Sequence, residues 1–87
     1  YSPTDLAIAT VAARFLERGI EPRYLRSWRQ SAEREAGLFE QLIAPLLRQR
    51  NPQSRQQASE ILVELSQLGA ELRAVLLRAA LAEYLDD

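Results

Sequence analysis

The sequence predicts an all-α domain: an antiparallel bundle of three long helices, or four if the second or the last one breaks. Three observations carry this. Apolar residues recur at helical spacing from end to end, no stretch alternates with the period of a strand, and helix start signals stand at three places. The 87 residues make a single small domain over 1–87, with one core. A chain of this size buries only about 60% of its extended surface or slightly more, so a partner subunit would add stability.

The first helix starts at Ser2-Pro3-Thr4-Asp5. Ser2 can cap it, Pro3 suits the first helical position, and Asp5 sits where a capping-box acid would. Leu6, Ile8, Val11, Ala12, Phe15 and Leu16 then cover more than half of the circumference, which requires neighbours on two sides. Gly19 ends the helix and Ile20 packs in the turn.

The second helix starts near Pro22, again with proline in a first turn. Tyr24, Leu25, Trp28, Ala32, Phe39, Leu42, Ile43 and Leu46 keep one phase at about 100° per residue. An independent helix after Gly37 would have no reason to preserve that phase. Gly37 therefore lies inside one long helix, at a cost of about 1 kcal/mol relative to alanine. Pro45 is expected to kink or end it.

Asn51-Pro52 repeats the start signal, and the third helix is expected from Pro52 to about Tyr84. A break at Gly69 would make a fourth. Ile61, Leu65, Leu68, Leu72, Val75 and Ala79 are spaced 4, 3, 4, 3, 4, a heptad seam. Val63, Ala70, Leu77, Leu81 and Tyr84 form a second apolar row on a different side. One helix with two apolar rows needs two neighbours, and the second row is the candidate dimer interface.

Composition excludes several functions. The chain has no cysteine and no histidine, which removes disulfides, thiol chemistry and the usual zinc sites. Nucleophile–base pairs and a glycine-rich phosphate loop are both missing, so an enzyme is not expected, nor a cofactor or metal. No apolar run approaches the ~20 residues that span a bilayer, and the expected compartment is the cytoplasm. Methionine is absent even from position 1, which suggests a domain of a longer protein. All eleven basic residues are arginine, yet the net charge of −1 provides no global field towards nucleic acid.

The stretch GIEPRYLRSWRQSAEREAGL sharpens that point. On a helical wheel Tyr24, Trp28, Ala32, Phe39, Leu42 and Leu46 share one side. Arg23, Arg26, Arg29 and Arg34 lie off it, with Arg29 and Glu33 spaced as an i,i+4 pair. A stacking platform for bases needs aromatics and arginines together, so a solvated helix face is favoured over nucleic-acid binding. Glu35 is the exception, falling at about 20° from Tyr24 on the wheel, in the centre of the apolar stripe. A carboxylate there must find an arginine, a hydroxyl, water or a ligand, and Arg14 on the first helix is one candidate partner. Two readings stand: a structural pair at a helix edge, or a ligand site made by Glu35, Trp28, Tyr24 and Arg14. Arg48, Arg50 and Arg55 form a second basic patch with two readings, a complement to the negative end of a helix dipole, which is favoured, or a contact for phosphates or an acidic partner.

Extended through the next elements, GIEPRYLRSWRQSAEREAGLFEQLIAPLLRQRNP resembles the C-terminal domain of MerR-type transcription regulators of actinobacteria. Within that family it is similar to the FtsR-like branch, linked to control of cell-division genes. The resemblance runs from Tyr1 through the last leucine- and alanine-rich helix. It rests on Gly19-Ile20-Glu21-Pro22-Arg23, Glu33-Arg34-Glu35, and Ala44-Pro45-Leu46-Leu47 followed by Arg48-Gln49-Arg50-Asn51-Pro52. It implies a dimeric transcription factor that binds DNA only through an N-terminal winged helix-turn-helix, a part this chain lacks. The chain would then be the effector or dimerisation domain, a homodimer with a small-molecule effector, a protein effector or none. Metal-sensing relatives use cysteines, which are missing here. A small-molecule sensor, or a helical protein-interaction module without self-association, are the alternatives.

Overall fold

A computed structural model describes residues 2–85, leaving Tyr1, Asp86 and Asp87 outside the description. The chain is all-α, as expected. Its elements are α1 (Pro3–Glu17), α2 (Pro22–Arg48), α3 (Pro52–Ala80) and a short 3-10 turn at Ala82–Tyr84. Both possible breaks are absent. α2 runs through Gly37 and α3 through Gly69.

The caps explain the boundaries. The Ser2 hydroxyl accepts from the Asp5 amide at 3.0 Å and the Asp5 carboxylate accepts from the Ser2 amide at 3.4 Å, completing the capping box. At the other end of α1, Gly19 adopts φ +94°. The Gly19 amide donates to Leu16 O at 3.0 Å and the Ile20 amide to Phe15 O at 3.1 Å, a Schellman closure that uses two otherwise orphaned carbonyls. Ile20 is half-buried there.

Pro45 does not stop α2 at once; the helix continues to Arg48. Proline removes one ladder donor, and the helix ends within a turn of it. Arg50 then takes φ 53°, the left-handed region, and turns the chain. Asn51 caps α3, its Oδ1 accepting from the Ser54 amide at 2.8 Å.

Two compact units divide the chain within α2, Tyr1–Gly37 and Leu38–Asp87. In the first, α1 and the start of α2 form a hairpin in which the Phe15 and Trp28 rings lie 4.7 Å apart at 33°. In the second, the end of α2 and α3 form another hairpin. Its buried residues are Ile43, Ser54 and Ala58, all near the connecting turn. The Ser54 hydroxyl donates to Gln49 Oε1 at 2.6 Å, so the polar group buried there is satisfied.

Candidate functional site

Burial along α3 changes from one end to the other. Ser54, Ala58, Ile61, Leu62, Leu65 and Gly69 are buried or half-buried. At about 100° per residue they occupy one side of the helix. Leu72 and Leu76 continue that same side by phase, yet they are 60% and 58% exposed. The heptad seam read from the sequence is thus half-buried at Ile61 and Leu65 and open from Leu68 onwards. The second row is open too: Leu77 is 60% and Tyr84 75% exposed. α3 therefore presents apolar surface on two sides beyond Gly69.

That surface has a physical cost. Full burial of a large apolar side chain contributes about 1.5–3 kcal/mol. Among the described residues only Ile43 and Ala58 of the apolar set are buried. Scattered exposed leucines are ordinary, whereas a contiguous set along one helix marks an interaction surface.

The expected ligand set, Tyr24, Trp28, Glu35 and Arg14, lies within the first unit. Trp28 stacks on Phe15, with about half of its surface exposed. Tyr24, one turn earlier, carries the Arg23 guanidinium 5.1 Å from its ring centroid, with Arg23 NH2 also donating to its hydroxyl at 3.4 Å. Arg23 thus folds back over an aromatic that the wheel had placed apart from it. A long side chain reaches across a turn in a way that Cβ directions do not capture. Arg14 lines a shallow hollow on α1 with Val11, Phe15, Glu17 and Arg18. Glu35 is half-buried and engaged by other groups, as an acid in an apolar stripe requires.

An ion pair in the arginine-rich stretch joins Arg23 to Glu21 at 3.2 Å, between exposed side chains. Such a pair contributes little. Arg29 and Glu33 are both exposed, and so are Arg48, Arg50 and Arg55. Among the described residues no group of three or more acids could hold a metal ion. No helix of the described chain is long and apolar enough to cross a membrane.

Fold and surface define a class: small all-α domains with exposed apolar helix faces. The chain belongs to the Rv1828-like C-terminal domain family, whose model matches residues 1–85. Over 80 residues it is 30% identical to the HTH-type transcriptional regulator Rv1828 of Mycobacterium tuberculosis, covering 92% of this chain and 32% of that protein. The HTH-type transcriptional regulator Mb1859 of Mycobacterium bovis matches with the same identity and coverage. The chain thus spans about a third of the length of these relatives. No solved structure matches it. Family and relatives identify it as a C-terminal domain of the kind found in transcriptional regulators.

Proposed function

We propose that this chain is the C-terminal regulatory and self-association domain of a MerR-like transcription regulator of the FtsR-like branch, acting on cell-division genes in the cytoplasm. DNA would be bound by an N-terminal helix-turn-helix of the full regulator. The relatives' names as HTH-type regulators support the regulatory half of this reading. The observation that carries the self-association half is the open apolar surface of α3, where Leu72, Leu76 and Leu77 are each more than half exposed. A second copy of the chain would cover it, and a homodimer suits a regulator that reads two half-sites.

Light scattering after size exclusion at several concentrations tests this directly. The expected result is a mass near twice 9.9 kDa that falls on dilution. A mass of one chain at every concentration would remove self-association and favour docking of a foreign helix on the Val63, Ala70, Leu77, Leu81 and Tyr84 row.

A second reading has its own support. The shallow hollow beside Arg14 and Phe15, with Trp28 stacked on Phe15, is where a small organic effector would lie. Its signature would be a ligand-dependent change in Trp28 fluorescence, lost in Trp28→Phe together with any ligand-induced rise in melting temperature.

A further inference from the structure

Beyond Gly69, α3 carries two charges with no oppositely charged neighbour along their own helix, and Arg78 also stands in the last turn, where a cation suits the helix dipole. Glu71 and Arg78 are exposed and lie seven residues apart, at the same position of the heptad beside the open seam. Neither has an oppositely charged residue three or four positions away on its own helix: Glu71 is flanked at those distances by Gln67, Leu68, Ala74 and Val75, and Arg78 by Ala74, Val75, Leu81 and Ala82.

Taking Leu72 and Val75 as the central seam residues gives these charges a use. In an antiparallel pair with Leu72 opposite the partner's Val75, Leu68 falls opposite the partner's Ala79. Large meets small in that layer, twice by symmetry. In the same register Glu71 falls beside the partner's Arg78, and Leu76 falls over the partner's Gly69, where a missing side chain leaves room. Sliding one copy by a heptad in one direction sets Glu71 beside the partner's Glu71. Sliding it in the other sets Arg78 beside the partner's Arg78. A parallel pairing would lay Glu71 against the partner's Leu76. Charges flanking a seam are the usual means of choosing orientation and register, because the wrong alignments bring like charges together.

We propose that two copies of the chain pair antiparallel along residues 68–79 of α3, in the single register that joins Glu71 of each to the partner's Arg78. This rests on the self-association reading and adds which face is used, in which direction and in which alignment.

Sedimentation equilibrium on the 87-residue chain and three charge variants tests it, with circular dichroism confirming that each is helical. Glu71→Arg and Arg78→Glu alone each turn two attractive contacts into two repulsive ones, and each should weaken the dimer about tenfold or more. The double variant restores both pairs and should return to within about threefold of the original. Mixing the two single variants should yield a heterodimer tighter than either homodimer, since one copy then presents two arginines and the other two glutamates. Single variants that dimerise as well as the parent would overturn the register while leaving self-association intact. A parent chain that is monomeric throughout would overturn both.

Discussion

Phe15 and Trp28 stack with ring centroids 4.7 Å apart and planes tilted by 33°, joining the end of α1 to the start of α2. Offset pairs of this kind contribute about 0.5–1.5 kcal/mol beyond the area they bury. Phe15 also receives the Ile20 amide on its carbonyl, so the ring sits where the Schellman turn closes. Phe15→Ala is therefore expected to destabilise the first hairpin by about 1–3 kcal/mol, below a fully buried phenylalanine because both rings are partly exposed. Trp28 is the sole tryptophan and reports on this hairpin. A urea titration followed by its fluorescence should show an earlier midpoint; an unshifted curve would mean that the rings do not stay together in solution.

At the other hairpin, the buried Ser54 hydroxyl bonds Gln49 Oε1 at 2.6 Å while its amide bonds Asn51 Oδ1 at 2.8 Å. One residue thus ties both sides of the turn. Asn51→Ala removes the cap and should cost about 1 kcal/mol, and Ser54→Ala should cost a similar amount by losing a satisfied buried hydroxyl. Because the two bonds share Ser54, the double variant should lose less than the summed single losses. Additive losses in a double-mutant cycle would show that the cap and the hydroxyl act independently.

Two glycines should respond to alanine in opposite directions. Gly19 has φ +94°, so an alanine there is strained by about 1–2 kcal/mol despite open space around it. Gly37 sits in mid-helix with nothing within 4 Å of an added Cβ. Gly37→Ala should stabilise α2 by about 0.5–1 kcal/mol, since glycine costs that much in a helix interior. Thermal unfolding of both variants by circular dichroism would settle the pair of signs. A destabilised Gly37→Ala would point to a role for flexibility at that position.

The fold was largely legible because its signals are local. Ser2-Pro3-Thr4-Asp5, Gly19 and Asn51-Pro52 act through bonds within a few residues, and their caps formed as the sequence implied. Phase alone carried α2 through Gly37. The Arg50 turn conformation and the Ser54–Gln49 bond had no readable pattern, since both depend on how the chain closes after Pro45. The candidate site was harder. A heptad seam states that a face is apolar, not how far along it the chain's own helices reach. The seam is half-buried at Ile61 and Leu65 and open from Leu68 onwards. Arg23 over Tyr24 was hidden for a different reason, because a wheel places Cβ atoms and an arginine head travels several ångströms beyond its own.

The two open rows of α3 can be told apart by charge insertion. Leu72 lies on the heptad seam and Leu77 on the row with Val63, Ala70 and Tyr84, nearly opposite on the helix, and each is 60% exposed. Equal exposure means that neither substitution removes much of the chain's own packing, so a change in mass reads the interface and not the fold. If the seam pairs with its copy, Leu72→Glu places two carboxylates in an apolar layer and should abolish the dimer at concentrations where the parent is fully paired. Leu77→Glu should then leave the mass unchanged. The reverse pattern would move the interface to the row first singled out by its sequence spacing, and loss of the dimer in both would require a larger assembly that covers both sides of the helix.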